Sequence, residues 1–384
     1  MPDLVALDLP GGEAFVRALS AVWEAGDAAC PLDPRLPRQA ADELLDALAP
    51  TKVMGPDGDV TRRSGGRPVE PGDALVVATS GSTGRPRGVV LTHDAVVTSA
   101  LATSSRLGVD PPRHRWLACL PLAHVGGLSV VTRSMITGTP LTVLSEFDAD
   151  LVTELGREGG ISHVSLVATA LARIDPSLFE TILLGGAAPP GTLPPNVVTT
   201  YGMTETGSGV VYDGRPLDGV DIAIGTGRPG EGGAGEILLR GPMLLRCYRD
   251  GVDPRLAGPD GHGGWLPTGD AGRLGPDGAL LVDGRMAELI VTGGEKVWPA
   301  AVERVIATHP LVADVAVWKR ADPEWGERVV AWLVPNRGDD PPTLTAVVDL
   351  VRSHMAPWAA PKEVVVVADL PRTASGKVRR AALR

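Results

Sequence analysis

Short apolar runs alternate with helix-like segments through the middle of the chain, and this alternation restricts the fold more than any other feature. A buried strand is predicted at Ala74–Ala78, and a helix follows from the N-cap Thr92 to about Leu107, where Gly108 ends it. Such alternation indicates an α/β fold, a mostly parallel sheet with helices on its faces. The pattern continues with predicted strands at 115–122, 141–144, 181–186 and 196–202 and predicted helices at 127–136 and 150–159.

The two ends of the chain show other patterns. From Glu13 to about Leu48 the pattern is helical and is interrupted at Pro31–Pro34. After Pro216, short strand-like runs with frequent turn signals predict a small antiparallel β unit. We expect a large N-terminal domain, residues 1–284, and a small α+β C-terminal domain, residues 285–384. The predicted elements of the second domain are helices at 299–307 and 344–354 and strands at 312–319, 328–335 and 363–368.

Composition narrows the class of protein. Of 384 residues, 43% are hydrophobic and 21% are charged, as in ordinary globular proteins, and the net charge of −10 argues against nucleic-acid binding. Cys30, Cys119 and Cys247 are too scattered for a disulfide framework or a zinc site. No apolar run approaches a membrane span, and Asp3 and Asp8 interrupt the place of a signal peptide. We therefore expect a protein of the reducing cytoplasm.

The segment Val76–Val96, VVATSGSTGRPRGVVLTHDAV, contains a run of hydroxyl residues and glycines beside two arginines. Glycines let the backbone approach an anion, and N–H and hydroxyl groups can donate to its oxygens. We favour a phosphate-binding loop over a plain surface turn, which the same residue types also form. It is not a P-loop, because no Gly-Lys-Ser/Thr closes it. The residues of this loop are Thr79, Ser80, Gly81, Ser82, Thr83 and Gly84.

A second motif, TYGMTETG at residues 200–207, follows the last predicted strand of the alternating region. Ligands of open parallel sheets bind at the carboxyl ends of their strands. At that position Tyr201 can cover a nucleobase and Glu205 can hold Mg²⁺. The alternative is an ordinary polar turn.

Three further motifs each contain one residue or turn suited to nucleotide chemistry. Taken singly, they also fit a hairpin turn, a linker with a salt bridge and a basic tail. They are WLPTGDAG with Asp270 for a ribose diol, DGRMAELIVTGGEKVWP with Arg285 and a turn at Gly293-Gly294, and LPRTASGKVRR with Lys377.

In this order and at these separations, the five motifs resemble those of the acyl-adenylate-forming superfamily of acyl-CoA synthetases, from about Ala74 to the end of the chain. The resemblance implies that a carboxylate attacks the α-phosphorus of ATP, releasing pyrophosphate and leaving an acyl-AMP. A thiol then displaces AMP to give a thioester. Because an anion must approach a polyanion, Mg²⁺ and positioned cations stabilise the transition state. ATP, Mg²⁺ and CoA as co-substrate are therefore implied.

The resemblance also implies roles for individual residues. The loop Thr79–Gly88 would wrap the β- and γ-phosphates, with Thr83 the expected hydroxyl contact. Lys377 would bridge the attacking carboxylate and the α-phosphate during adenylation only. The C-terminal domain would then rotate and bring the Gly293-Gly294 turn into a pantetheine tunnel. The other implied roles are Gly185, Gly186 and Ala187 beside adenine, Tyr201 stacking on it, Gly202 as a further nucleotide-binding residue, Thr204 at the α-phosphate, Glu205 on Mg²⁺, Asp270 and Arg285 on the ribose, and Arg87 and His124 as further catalytic residues.

The chain departs from the family's pattern in three places. Arg87 stands where the family usually has Lys, so the charge is kept. Ala287 stands where the hinge usually carries Asp, and the rotation can therefore pivot differently. The segment before the glycine loop is also much shorter than in most relatives, so we expect part of the N-terminal subdomain to be missing or minimal.

Two segments, Leu120–Gly138 and Ser162–Ile174, resemble the substrate-wall segments of o-succinylbenzoate–CoA ligases of menaquinone biosynthesis. This acid is a dianion, and the ring carboxylate that is not activated needs a partner. Arg133 is the expected partner, because an arginine fork suits a carboxylate, with Ser165 as a second donor and His124 in the same wall. The alternative is an arginine that faces solvent.

Two other functions stay open. One is a ligase that loads another aryl or fatty acid onto CoA or a carrier protein, although no carrier domain is attached. The other is a catalytically inactive acyl-adenylate or nucleotide binder, against which the presence of both Glu205 and Lys377 argues. The expected partners are a small carboxylic acid, ATP and CoA, with no nucleic acid and a possible homo-oligomer.

Overall fold

The computed structural model describes residues 1–80, 86–186, 192–225, 234–336, 340–372 and 378–383. The domain boundary predicted at Gly284–Arg285 stays a prediction. Within those residues no helix is long and apolar enough to cross a membrane. The chain forms two compact units, the first from Met1–Gly186, Pro194–Ile222 and Leu239–Leu266, the second from Ala187–Leu193, Ala223–Leu238 and Pro267–Arg384.

The elements are numbered in chain order. Helices α1 to α8 are Glu13–Glu24, Arg38–Leu48, His93–Arg106, Val125–Thr137, Ala149–Arg157, Ala168–Leu171, Pro299–Ile306 and Leu344–His354. Strands β1 to β23 are Leu4–Leu7, Ala28–Pro31, Lys52–Met54, Val60–Arg62, Asp73–Ser80, Pro86–Thr92, Trp116–Ala118, Leu141–Val143, His163–Val167, Thr181–Gly185, Val197–Gly202, Gly209–Tyr212, Arg215–Pro216, Asp221–Ile224, Gly235–Arg240, Cys247–Tyr248, Leu266–Leu274, Leu280–Arg285, Ile290–Thr292, Glu295–Val297, Val312–Asp322, Gly326–Pro335 and Glu363–Val366.

The first sheet of the first unit is mixed, in the order β16-β6-β5-β2-β1-β3-β4. Strands β1, β2, β3 and β5 run parallel, and β4, β6 and β16 run antiparallel to their neighbours. Apolar side chains such as Leu4, Ala6 and Val76 form its core with Leu44 and Leu48 of α2. Strands β5 and β6 pair antiparallel, so that Thr79 and Ser80 at the start of the predicted phosphate loop lie beside Arg87 and Pro86.

The second sheet of the first unit has the order β13-β12-β11-β10-β9-β7-β8. The five strands β8, β7, β9, β10 and β11 pair parallel with one another, and β12 and β13 pair antiparallel with their neighbours. In register, Val167 at the end of β9 lies beside Gly185 at the end of β10. Strand β11 ends nearby at Gly202, so these strands bring their carboxyl ends to one edge, where ligands of such sheets bind.

The second unit contains the five-stranded sheet β20-β19-β22-β21, with β23 pairing parallel to β22. One face is covered by α7 and α8 through residues such as Val302, Ile306, Val347 and Val351. A smaller sheet has the order β14-β15-β17-β18. The α/β fold with a small antiparallel β unit and a C-terminal α+β part is therefore confirmed.

Two predictions of local structure were wrong. The helical pattern of Glu13–Leu48 contains a strand, Ala28–Pro31, which pairs parallel with Leu4–Leu7. This pairing overrides the weak strand propensity of an Ala-Ala-Cys-Pro sequence. The predicted strand at 115–122 is also shorter, because only Trp116–Ala118 pairs with its neighbours.

Candidate active site

The carboxyl edge of the second sheet contains four of the predicted nucleotide-binding residues, Gly185, Gly186, Tyr201 and Gly202. Gly185 ends β10, and Gly186 has a φ of 90°, which favours glycine. Tyr201 and Gly202 end β11. A Cβ on Gly202 would lie 2.2 Å from the carbonyl oxygen of Ser208, so a side chain there would force the backbone apart.

Glu205 lies in a short 3₁₀ turn, Thr204–Thr206, directly after this edge. The Thr206 hydroxyl accepts from the Met203 N–H at 2.9 Å and donates to the Ser208 carbonyl at 2.6 Å. The carbonyl of Glu205 accepts from the Leu245 N–H at 2.7 Å. The backbone of the turn is therefore held on both sides of the carboxylate.

The side chain of Glu205 has a partner that the sequence did not reveal. The hydroxyl of Tyr248, on β16, donates to Oε1 of Glu205 at 2.9 Å. Burial, and then the negative charge of Glu205, raise the pKa of Tyr248, so the phenol stays a protonated donor. The two residues are 43 positions apart, and no motif pairs them.

Arg87 packs on the ring of Tyr248. Its guanidinium carbon lies 3.7 Å from the centroid of the Tyr248 ring, and Nη2 lies 3.0 Å from Oδ2 of Asp250. In the β5–β6 hairpin Arg87 pairs with Thr79. The stem of the predicted phosphate loop is thereby joined, through Tyr248, to the predicted metal ligand.

Two of the predicted acid-binding residues, His124 and Arg133, lie far apart on helix α4. His124 is the exposed N-cap of α4, at the start of the helix. Arg133 lies nine residues further on, about 13 Å along the helix axis. It is 2% exposed and lies over Trp116 at the amino end of β7, at 4.7 Å from its guanidinium carbon to the ring centroid. Ser165 is buried in β9.

Arg133 is a cation without a carboxylate partner in the described part of the chain. Its Nε and Nη1 have no hydrogen-bond acceptor there, and burial lowers its pKa. The adjoining cavity, lined by residues of α3 and α4 such as Ser99, Ser129 and Thr132, has a volume of about 10 Å³. That space is too small for an aromatic acid, so acid binding at Arg133 requires the cavity to widen.

In the second unit, the two residues predicted for the ribose are neighbours. Asp270 on β17 faces Arg285 on β18, and Nε of Arg285 lies 2.9 Å from Oδ1 of Asp270. Asp270 is buried, and Nη1 of Arg285 also reaches the carbonyl of Thr268 at 3.3 Å. The pair thus presents one acceptor group and one donor group from adjacent strands.

Gly293 and Gly294 form the two-residue turn of the β19–β20 hairpin. Their φ values are 59° and 86°, as a type I′ turn requires. A Cβ on Gly293 would lie 2.6 Å from Cε3 of Trp325, whereas a Cβ on Gly294 would meet nothing within 4 Å. The turn is therefore packed on one side and open on the other.

Several predicted residues lie outside the described part of the chain, and so does the side chain of Ser80. They are Gly81, Ser82, Thr83, Gly84, Ala187 and Lys377.

A Mg²⁺ ion is usually held by one or two carboxylates together with the phosphates of a substrate. No group of three or more His, Cys, Asp or Glu side chains suited to a metal occurs within the described ranges. Glu205 is a single oriented carboxylate that contacts Tyr248, on whose ring Arg87 packs, and it fits an ion that arrives with a nucleotide.

Comparison with known proteins decides the family. The family of AMP-binding enzymes matches residues 56–249, and the AMP-binding enzyme C-terminal domain matches residues 301–377. The chain belongs to the AMP-binding enzyme family. A probable 2-succinylbenzoate–CoA ligase from Mycobacterium tuberculosis is 39% identical over 98% of this chain and 97% of its own length.

Solved structures of AMP-binding enzymes agree with this relationship. The o-succinylbenzoate CoA synthetase MenE from Bacillus subtilis, in complex with the acyl-adenylate intermediate OSB-AMP, has a TM-score of 0.82 at 29% identity and covers 100% of this chain and 88% of that one. The same enzyme in complex with ATP and magnesium ion has a TM-score of 0.82 at 28% identity, covering 99% and 89%.

Proposed function

We propose that this AMP-binding enzyme is an AMP-forming acid–CoA ligase that converts o-succinylbenzoate, ATP and CoA into o-succinylbenzoyl-CoA, AMP and pyrophosphate. The main support for the proposal is the carboxylate of Glu205, which follows the carboxyl edge of the second sheet and accepts a hydrogen bond from the Tyr248 hydroxyl. The ring of Tyr248 in turn lies under the guanidinium of Arg87, beside the glycine loop in the sequence. The near full-length relative named as a 2-succinylbenzoate–CoA ligase supports the choice of acid.

The residues of this chain bind and orient the reacting groups. Glu205 holds Mg²⁺ together with the phosphates of ATP, and the ion, when bound, neutralises the charge that would repel the attacking carboxylate. Tyr201 covers the adenine beside Gly185, and Thr204 donates to the α-phosphate. Asp270 accepts from the ribose hydroxyls, with Arg285 as its neighbour. The loop Thr79–Gly84 donates to the β- and γ-phosphates.

The second half-reaction uses the C-terminal domain, residues 285–384. Lys377 approaches the α-phosphate during adenylation and is withdrawn before thioester formation. The Gly293-Gly294 turn then lines the path of the pantetheine of CoA. A homo-oligomer and a cytoplasmic location also stay predictions.

Arg133 is our proposed partner for the ring carboxylate of the acid, and Ser165 and His124 stay predicted as further contacts of the acid. Its lack of an acceptor among the described residues supports this role, because a buried unpaired cation is costly until an anion neutralises it. Its position beside Trp116, near the amino end of β7, favours a structural role instead. The test therefore has to separate acid recognition from packing.

A two-stage assay tests the reaction. With o-succinylbenzoate, ATP and Mg²⁺ but no CoA, we expect acyl-AMP and pyrophosphate; addition of CoA should release AMP and form the thioester. Glu205→Gln should lower the rate of the first stage by about 100-fold, since one positioned electrostatic group is commonly worth that much. Adenylation of another acid alone would favour the alternative ligase, and nucleotide binding without pyrophosphate release would favour the inactive binder.

A further inference from the structure

We propose that Tyr248 is a positioning residue that sets two groups at once: its hydroxyl orients Glu205 for the metal, and its ring is the platform on which Arg87 is held beside Asp250. The proposal rests on the proposed function, in which Glu205 holds Mg²⁺ and Arg87 belongs to the phosphate loop. None of the five motifs of the sequence analysis contains Tyr248, and the fold brings it to Glu205.

The backbone around Tyr248 is attached both to the turn that carries Glu205 and to the strand that carries Arg87. Leu245 donates its N–H to the carbonyl of Glu205 at 2.7 Å. Tyr248 pairs with Val89 of β6, and Arg249 donates its N–H to the carbonyl of Gly88 at 2.7 Å. A tyrosine anchored at both ends can transmit its position to both side chains.

The hydroxyl of Tyr248 suits a carboxylate that must keep its charge. A neutral phenol donates to Oε1 of Glu205 and fixes its orientation without neutralising it, whereas a Lys or Arg partner would compete with the cation. Partners that orient a metal-binding carboxylate in this way commonly change metal affinity when removed.

The platform also gives a physical reason for Arg87 where the family pattern usually has Lys. A planar guanidinium can stack on a ring and donate to a carboxylate at the same time, as Arg87 does with Tyr248 and Asp250. An ammonium group lacks this planar fork. Bound phosphates can then take the place of Asp250 while the stacking on Tyr248 is kept.

The test compares ATP binding with and without metal. Isothermal titration calorimetry without the acid gives the Kd for ATP in excess Mg²⁺ and in EDTA, with no turnover. The ratio of the two constants reports metal coupling and cancels general damage to the fold. In Tyr248→Phe, which keeps the ring, we expect the advantage of Mg²⁺ to fall by about 10-fold, with the Kd in EDTA unchanged.

Tyr212→Phe is the matched control. Its buried hydroxyl lies 3.1 Å from Thr103 Oγ1, away from Glu205, so its loss should lower stability and leave the ratio unchanged. Tyr248→Leu tests the platform. Because it also removes the ring under Arg87, it should weaken ATP binding in EDTA as well, in contrast to Tyr248→Phe.

Glu205→Gln and the double variant separate the possible failures. If Glu205→Gln lowers the Mg²⁺ advantage and Tyr248→Phe does not, the positioning role is wrong and the proposed function stands. If Glu205→Gln leaves it unchanged, the metal role of Glu205 fails, and the inference fails with it. If Tyr248 acts through Glu205, adding Tyr248→Phe to Glu205→Gln should change the ratio no further.

The ring of Tyr248 is tested separately. Equal Kd values for ATP in EDTA for Tyr248→Leu and Tyr248→Phe would show that the ring does not hold Arg87 for phosphate binding.

Discussion

At the scale of single residues, Arg133 poses the sharpest question, because a fully buried guanidinium leaves Nε and Nη1 without acceptors in the described part of the chain. Stacking over Trp116 offsets only part of the cost of burying a charge. An acid that brings its own carboxylate would offset the rest. A variant of Arg133 should give one result if the residue only packs against Trp116 and another if it binds the acid.

Arg133→Met keeps a long apolar side chain and removes the charge. If Arg133 binds the ring carboxylate, kcat/KM for o-succinylbenzoate should fall. The fall should correspond to a loss of transition-state stabilisation on the order of 2–5 kcal/mol, with the KM for ATP nearly unchanged. An analogue without the ring carboxylate should be a poor substrate for the wild type and lose little further in the variant. Equal losses for the acid and its analogue would show that Arg133 only supports the fold.

His163 gives a prediction about pH. It is fully buried on β9, and burial, helped by nearby His114, lowers its pKa to about 4. The unfolded state, with a His pKa of about 6.5, binds the proton first as the pH falls, so stability present above pH 6.5 is lost towards pH 4. Between pH 6.5 and 5 this loss should be about 2 kcal/mol.

His163→Phe should keep the ring contact with Trp116, now 4.9 Å between centroids, and remove the titrating group. Urea unfolding at several pH values measures both proteins. The free energy of unfolding of the variant should depend less on pH than that of the wild type over this range. Parallel curves would mean that His163 does not titrate with unfolding.

At the scale of elements, the β19–β20 turn offers a matched pair of variants. Gly293→Ala and Gly294→Ala both put a Cβ on a left-handed residue, at a cost of about 1–2 kcal/mol each. Only Gly293→Ala also drives a methyl group against Trp325. It should therefore lower the melting temperature more than Gly294→Ala.

The same pair tests the proposed pantetheine path. Thioester formation from supplied acyl-AMP should slow more in Gly293→Ala than in Gly294→Ala, while pyrophosphate release is spared in both. If adenylation slowed as much as thioester formation, the turn would not be specific to the second half-reaction.

Elements with local signals were predictable from the sequence. Helix α3 begins after Thr92, whose hydroxyl accepts from the Ala95 N–H, and Gly108 follows its end with a φ of 61°. Strands β1 and β2 were not predictable in the same way, because four-residue segments such as Ala28–Pro31 become strands only through pairing with distant partners.

In the candidate site too, residues in sequence motifs were predictable, and residues whose role depends on distant contacts were not. Glu205, Asp270 and Arg285 lie in recognisable motifs, and the fold makes the last two an ion pair. Tyr248 lies in none of these motifs. Its contact with Glu205 joins residues 43 positions apart, so the sequence alone did not reveal it. A burial pattern could suggest that Arg133 is not a surface residue, but its packing on Trp116 follows only from the fold.

At the scale of the whole molecule, the proposed rotation of the C-terminal domain requires that Lys377 serve one half-reaction and not the other. Lys377→Ala should slow adenylation by about 100-fold, the usual effect of removing a positioned group that stabilises the transition state. Thioester formation from supplied acyl-AMP should be nearly unchanged. Rapid-quench measurement of the two halves separates them, and equal losses in both would contradict the proposed rotation of the C-terminal domain.

The most direct test of the proposed function is kcat/KM for a panel of carboxylic acids, measured by release of AMP and formation of the CoA thioester. The panel should contain o-succinylbenzoate, its analogue without the ring carboxylate, simple aryl acids and fatty acids of several lengths. We expect kcat/KM for o-succinylbenzoate to exceed that for every other acid, and that for the analogue to be at least about 30-fold lower, because losing one charge pair costs about 2 kcal/mol or more. A fatty acid or simple aryl acid that exceeds o-succinylbenzoate would contradict it.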